Sequence, residues 1–330
     1  MSTTFQAFRV NQSGEDFSAG VSEQTLENLP EGDVLIRVRY SSVNFKDAMA
    51  SVKNSKIVEG YPVTPGIDLA GEVVESDSEH FREGDKVIAT SYEIGVSHDG
   101  GYGEYARIPS QWIVELPDGM TLEESMVFGT AGFTAALSVH RLEEAGIRPE
   151  DGSILVTGAT GGVGSMAISM LAKLGYKVVA STGKDSEHDY LKELGAQEVI
   201  TREDVYDGKI KPLDKQRWAG TVDPVGGENL AAILSKLKYG GAAAVSGLTG
   251  GTDVPATVFP FILRGISLLG VDSVNCPMTI RRQIWNRLAS DLKPKNALDK
   301  MKHEITLDEL PDAFNTLLEG QARGRTIVKI

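Results

Sequence analysis

The sequence predicts an α/β protein of two domains, one made of short β-strands and one built on a doubly wound parallel sheet of six strands. Three observations predict it. The chain has 330 residues, more than a single domain usually takes. Its texture changes past Thr121, from strands punctuated by Gly and Pro to helices that alternate with short apolar strands. A glycine-rich turn joins the first strand of that second region to its first helix.

In the first region the expected strands are Asp33 to Tyr40, Ile67 to Val74, Lys86 to Thr90, Gly103 to Ile108 and Trp112 to Glu115, an all-β pattern bounded by turn residues. In the second they are Ser153 to Thr157, Lys177 to Ala180, Glu198 to Ile200, Gly220 to Pro224, Ala242 to Ser246 and Ile266 to Val271. Their spacing leaves room for crossover helices, as a parallel sheet requires. The tail returns to β texture at His303 to Leu307 and Thr326 to Ile330, around an amphipathic stretch from Leu307 to Leu318. The expected division is therefore 1–125 completed by 295–330, with 126–294 as the second domain.

Composition narrows the function classes. Apolar residues make up 41% and charged residues 24% of the chain, a globular balance. A net charge of −13 is a poor field for holding nucleic acid or an anionic membrane, so any anionic ligand needs local donors. The segment Met1 to Val10 has no basic head followed by an apolar stretch, and no run approaches a membrane span. A soluble, cytoplasmic protein is expected. The one cysteine, Cys276, excludes an intrachain disulfide and a Cys-rich metal site, and is expected in a loop after the sixth strand. The histidines 80, 98, 140, 188 and 303 are scattered, with no pair on one helical face. No metal site is expected, nor a Ser-His-Asp or Cys-His constellation.

The most specific local signal is the run from Ser153 to Thr157 into Gly158-Ala159-Thr160-Gly161-Gly162-Val163-Gly164, after which Val163, Met166, Ala167, Met170, Leu171 and Leu174 recur at helical spacing. Small residues let the backbone turn sharply and approach a pyrophosphate, whose charge meets the N–H groups opening the helix. Ala159 stands where the fingerprint has its first glycine. This is the pattern of a Rossmann dinucleotide site, with Thr160, Gly161, Gly162, Val163 and Gly164 against the phosphates. About twenty residues on, an NAD enzyme places an acid on the ribose. Here the chain has Ser181-Thr182-Gly183-Lys184 instead, hydroxyls and a cation that suit a 2′-phosphate, so NADPH is the expected cofactor.

Several segments carry a resemblance: Ser41 to Ala48 (SSVNFKDA), Pro65 to Gly71 (PGIDLAG), Gly129 to Ala135 (GTAGFTA), the glycine turn, Pro260 to Arg264 (PFILR) and Gly270 to Val274 (GVDSV). Through them the chain resembles, over its whole length, the medium-chain dehydrogenase/reductase superfamily, and within it the zinc-free acryloyl-CoA reductase and quinone oxidoreductase family. The resemblance implies a GroES-like catalytic domain completed by the C-terminal tail, a Rossmann domain, a cleft where they meet, and a homodimer joined at the last strands of the nucleotide-domain sheets. It further implies that Phe45, Thr130, Arg202, Leu248, Ile262 and Ser273 lie along the cofactor. Phe45 stands where the family often has tyrosine.

Without a Lewis acid, hydride transfer needs an acceptor that is already electron-poor, such as a C=C bond conjugated to a carbonyl. The resulting enolate needs hydrogen-bond donors at its oxygen and a proton at its α-carbon. Asn44 can donate from its amide, and Asp47 can orient a neighbour or relay a proton. Both could instead cap the next short helix. Lys46 reads as a solvated side chain. Tyr61, Tyr92, Tyr102 and Tyr105 are candidates to line a pocket, and Arg264, Arg281, Arg282 and Arg323 to meet a CoA ester. The resemblance implies NADPH-dependent reduction of acryloyl-CoA to propanoyl-CoA, with quinone reduction as the alternative within enzymes and a non-catalytic NADPH-binding protein as the alternative outside them.

Overall fold

A β-hairpin opens the chain: β1 (Thr4–Ser13) and β2 (Asp16–Thr25) pair in antiparallel register from Thr4 opposite Thr25 to Ser13 opposite Asp16. Gly14, at φ +58°, takes the left-handed corner of its turn. The hairpin is absent from the sequence expectations because the apolar alternation of β2 is short, Phe17, Ala19 and Val21, and every residue of the strand is exposed or half-exposed. The computed structural model describes residues 3–294 and 297–330. Met1 and Ser2, and Lys295 and Asn296 at the expected start of the C-terminal return, lie outside the described residues.

The chain divides into two units. The first holds the chain up to Thr130 together with Val274–Ala289 and Leu298–Ile330. Besides the hairpin it contains β3 (Val34–Ser42), β4 (Asp68–Ser76), β5 (Lys86–Thr90), β6 (Tyr105–Ile108), β7 (Ile113–Glu115), β14 (Lys302–Ile305) and β15 (Arg325–Lys329). These form a sheet in the order β14-β15-β3-β4-β5-β7, with β6 also on β3. The tail thus joins this sheet directly, Val328 pairing with Ser41. Its inward residues, among them Val34, Ile36, Leu69, Val87 and Ile108, make one apolar core. Phe8, Val43, Tyr102, Leu310, Phe314 and Val328 make another, sealing the amphipathic helix Leu310–Leu318.

The second unit holds Ala131–Ser273 and the short stretch from Ser290. Its strands are β8 (Ser153–Val156), β9 (Lys177–Ser181), β10 (Glu198–Ile200), β11 (Trp218–Asp223), β12 (Leu237–Val245) and β13 (Ser267–Gly270). All five pairings are parallel, and the order is β10-β9-β8-β11-β12-β13. The chain therefore winds one way from β8 to β10 and the other way from β11 to β13. The reversal lies between β8 and β11, and in open α/β sheets ligands bind beyond the strand ends at such a switch point.

Helix α1 (Phe45–Ala50) follows β3, α2 (Leu122–Glu144) follows β7, and α3 (Gly162–Lys173) follows β8. The division between units falls inside α2, just past a break at Gly129, rather than at 125. Helix Met278–Ala289 groups with the first unit, where the sequence boundary sets it in the second. The buried Arg281 is the physical reason, since its guanidinium binds Thr90 at the end of β5.

Candidate functional site

In the second unit the site is built at the switch point. Gly158 turns the chain at φ +53° as it leaves β8, and the Gly161 N–H closes the turn on the Gly158 carbonyl at 3.0 Å. Helix α3 then starts. The N–H groups of Gly162, Val163 and Gly164 fall in its first turn, where no carbonyl of the same helix reaches them. A Cβ on Gly164 would meet the Gly158 oxygen at 2.4 Å and Ala159 Cα at 2.7 Å, so only glycine lets α3 sit this close to the turn. A Cβ on Gly161 would meet only the Gly158 oxygen, at 3.4 Å, which leaves the outer face of the turn accessible to a ligand. Thr160 is 8% exposed and completes the turn.

Across the switch point, Asp223 is fully buried at the end of β11. Its carboxylate accepts from the Thr157 hydroxyl, from Gly226 N–H at 2.9 Å and from Val225 N–H at 3.3 Å. Burial pushes this carboxyl above its ordinary range, against those three bonds. The interaction ties β8 to the turn after β11, and the sequence reading assigns Asp223 no role.

At the end of β9, the Thr182 hydroxyl accepts from Lys184 N–H at 3.1 Å, shaping a tight turn, and the Ser181 hydroxyl donates to the Thr201 carbonyl at 3.3 Å. A Cβ on Gly183 would lie 3.0 Å from Arg202 Nε and 3.2 Å from its Cζ. Arg202 opens the helical turn after β10, so its guanidinium lies over Gly183, one residue from Lys184. The Arg202 guanidinium thus lies beside the Ser181–Lys184 turn, with Asp185 the residue that follows it. Leu248, Ile262 and Phe45 are 65%, 72% and 51% exposed, and Ser273 is half-buried.

The first unit carries a buried polar cluster centred on Asp68, at the start of β4. One oxygen accepts from Ser42 Oγ (2.6 Å), Asn44 Nδ2 (2.8 Å) and Thr130 N–H (2.8 Å), and the other from the Thr130 hydroxyl (2.5 Å). The Arg325 guanidinium, 3.8 Å from Asp68, donates to Ser42 Oγ (2.7 Å), Asn44 Oδ1 (3.2 Å), Val43 O (3.2 Å) and Val127 O (3.2 Å). Burial weakens the proton affinity of Arg325, and the neighbouring Asp68 and Asp47 oppose that effect. Gly129 breaks α2 beside this cluster, at φ +50° and ψ −159°. A Cβ there would lie 2.6 Å from Arg325, Asp68 and Ser42 alike, so glycine lets the helix break onto the carboxylate and aim Thr130 N–H at it.

Asn44 and Asp47 are drawn together by α1. Asp47 is fully buried and accepts from Asn44 N–H and from Ile67 N–H, each at 2.8 Å, with one oxygen apiece. It therefore caps α1 and ties it to the strand start beside Asp68. Burial and the nearby Asp68 charge push its carboxyl up to about 7. Tyr102 is buried against the same residues, with its hydroxyl donating to Ser42 O at 3.1 Å, and burial raises it well above the ordinary tyrosine range. The Asn44 amide, 9% exposed, holds Asp68 with one donor and reaches Ser42 Oγ only at 3.4 Å with the same nitrogen.

Among the other candidates, Tyr102 is core, Tyr92 stacks on Trp112, and Tyr105 packs edge-on to Phe5. Tyr61 lines a hollow of about 460 Å³ with Asn11, Gln12, Asp16, Phe17 and Pro62, none of them a site residue above. Arg264 holds the carbonyls of Asp214, Ser235 and Leu237, and Arg281 is fully buried, so neither extends toward a CoA ester. Cys276 is buried, its thiol 3.8 Å from the Pro277 carbonyl. Among the described residues no three His, Cys, Asp or Glu side chains gather as a metal would require, and no helix is long and apolar enough to cross a membrane.

Residues 30–118 match the GroES-like domain of alcohol dehydrogenases, and residues 162–290 match the zinc-binding dehydrogenase family. A crystal structure of Bacillus subtilis YhfP with NAD bound is 58% identical over all of both chains, with a TM-score of 0.97. That relative bears the name "Putative quinone oxidoreductase YhfP". The YhdH oxidoreductase of Salmonella enterica in complex with NADP is 45% identical, covering 98% of this chain and 99% of that one, with a TM-score of 0.95. The acrylyl-CoA reductase AcuI of Ruegeria pomeroyi is 45% identical over 94% of each chain.

Proposed function

Because the chain belongs to the medium-chain dehydrogenase/reductase superfamily, in the family of the acrylyl-CoA reductases and YhfP, we propose that it is the NADPH-dependent reductase of an acryloyl-CoA C=C bond, giving propanoyl-CoA. The observation that carries the cofactor half is the Arg202 guanidinium beside Gly183, with Lys184 the next residue in sequence, beyond a glycine turn that opens α3. The turn offers main-chain N–H groups to a pyrophosphate, and the cations with the Ser181 and Thr182 hydroxyls suit a 2′-phosphate. NADPH bound there supplies a hydride. The NADP complex of the Salmonella relative supports this choice, whereas the NAD complex of YhfP makes NADH the alternative to test.

On this reading the chain's own residues position and polarise the substrate. Asn44 is the proposed hydrogen-bond donor to the enolate oxygen, since its amide nitrogen has one strong bond, to Asp68, and one long one. Asp47 positions it through the main chain at the head of α1. Arg325 and Asp68 hold the amide plane from its two ends. Reduction proceeds by hydride addition at the β-carbon and protonation at the α-carbon, with no metal in the scheme. The proposed assembly is a homodimer formed through β13. This is the edge strand of its sheet, with Leu268 41% exposed, and Val258, Phe259, Ile262 and Leu263 are exposed in the preceding segment.

Quinone reduction is the second reading, favoured by the name of the Bacillus relative. Following NADPH oxidation with acryloyl-CoA, crotonyl-CoA and a benzoquinone under identical conditions separates the two. The proposal expects the highest kcat/KM for acryloyl-CoA. Turnover of the quinone alone would replace it with the second reading.

A further inference from the structure

Asp223 ends β11 at the switch point of the second unit, and each of its oxygens holds a neighbour. Oδ1 accepts from the Thr157 hydroxyl and from Val225 N–H at 3.3 Å, Oδ2 from Gly226 N–H at 2.9 Å, and the main-chain carbonyl from Ser246 N–H at 3.0 Å. Thr157 stands between β8 and Gly158, and Ser246 directly follows β12. One buried residue therefore joins the carboxyl ends of β8, β11 and β12, the edge of the sheet at which open α/β folds bind their ligands.

The glycine turn leans on the same place. A Cβ on Gly158 would lie 3.3 Å from Pro224 Cγ and 3.5 Å from Val225 Cγ2, so the turn packs against the segment that the Asp223 side chain shapes. Toward β9 the turn is held by Ala159 N–H, which reaches Ser181 O at 3.4 Å. Toward β11 it is held by the Thr157 hydroxyl on Asp223, between residues that are 2% and 0% exposed. This side-chain bond fixes the height at which Gly158 leaves the sheet, and hence where α3 begins. Because Asp223 faces inward, its carboxyl is sealed from any ligand lying on the turn and acts on it only through Thr157.

We propose that Asp223 is a positioning residue for the dinucleotide: through the Thr157 hydroxyl it sets the Gly158 turn on the sheet, and with it the N–H groups at the head of α3 that meet the pyrophosphate. The inference rests on the dinucleotide reading above and goes beyond it by naming what holds the turn in place. Donors of this kind work only when held to within about 0.5 Å of their proper position. The effect falls on the pyrophosphate, which NADPH and NADH share, and not on the 2′-phosphate beside Arg202.

Val225 and Gly226 donate to different oxygens of Asp223, so Asp223→Asn would turn an amide N–H toward one of them and disturb their turn as well. The test therefore removes the other partner. Thr157→Val keeps the shape of the side chain and deletes the hydroxyl, whereas Thr157→Ser keeps the hydroxyl. Dissociation constants for NADPH, NADH and adenosine 2′-monophosphate are measured by calorimetry for wild type and both variants. The monophosphate carries the 2′-phosphate but no pyrophosphate. Thr157→Val is expected to weaken both dinucleotides by about tenfold, the scale of one net hydrogen bond, and to leave the monophosphate within about twofold of wild type. Thr157→Ser is expected to return both dinucleotides to within about threefold of wild type. Dinucleotide affinities within about twofold of wild type in Thr157→Val, an equal loss for the monophosphate, or no recovery in Thr157→Ser overturns the assignment. A wild-type protein that binds neither dinucleotide overturns the functional reading, and this inference with it.

Discussion

Asp47 makes the stability of the first unit depend on pH in an unusual direction. Its carboxyl is fully buried, and desolvation together with the Asp68 charge pushes it up to about 7 from the ordinary 3.8. In the unfolded chain the group gives up its proton near 4, whereas in the folded chain it keeps the proton until about 7. Between those values the native state binds more protons, so stability must fall as pH rises. The contribution is fully present below about pH 4 and is lost through about 7. With 1.36 kcal/mol per unit, the loss over that window is about 4 kcal/mol. Tyr102, Asp68 and Arg325 face the same carboxyl, but they remain in an Asp47→Asn variant and cancel in the comparison. The variant carries a pH-independent offset, because an amide has one acceptor for the two N–H groups of Asn44 and Ile67, at a cost of about 1–3 kcal/mol. Urea unfolding of both proteins at half-unit steps from pH 4.5 to 8 separates slope from offset. The wild-type curve should fall more steeply than that of Asp47→Asn. Parallel curves would refute the reasoning.

Three further outcomes are expected. Gly164→Ala places a Cβ 2.4 Å from the Gly158 oxygen, so α3 must move off the turn; a loss of about 1–3 kcal/mol in urea unfolding, with at least tenfold weaker NADPH binding by calorimetry, is expected. Asn44→Ala should lower kcat for acryloyl-CoA by about 10²-fold or more, the usual loss for an oxyanion donor, while NADPH titrates normally; full turnover removes Asn44 from the proposed chemistry. Leu268→Lys places a cation on the exposed edge strand and should shift the protein from dimer to monomer in light scattering, whereas an unchanged mass would place the interface elsewhere.

The second unit was readable because its signals are local. A strand, a turn of small residues and a helix with apolar residues at 3.6-residue spacing lie within 22 residues of one another, from Ser153 to Leu174, and each of the other strands is a short apolar run between turns. Hairpin β1–β2 has a weaker signal, since its second strand alternates only over Phe17, Ala19 and Val21 and buries none of its residues fully. The Asp68 cluster was invisible for a different reason. Ser42 and Arg325, which meet at 2.7 Å, are 283 residues apart, and a single arginine in a terminal strand looks like any solvated charge. Asp68 and Ser42 drew notice only as parts of motifs, because nothing local says that a carboxylate at the start of a strand will collect four donors. The polar run from Asn44 to Asp47 did stand out, yet its spacing fits a helix cap as well as an active-site edge. The folded chain has Asp47 capping α1 and Asn44 turned toward Asp68. Arg281 reads as a surface charge until its helix is seen to bury it with Ile284, Trp285 and Leu288.

We propose that a 2′-phosphorylated dinucleotide rests on the Gly158 turn with its phosphate at Lys184 and Arg202. Isothermal titration of wild type and Lys184→Ala with NADPH and with NADH tests it most directly. One NADPH per chain, a loss of about 1.5–3 kcal/mol in the variant and nearly unchanged NADH binding are expected. Equal losses for the two dinucleotides, or no saturable NADPH binding by the wild type, would contradict it.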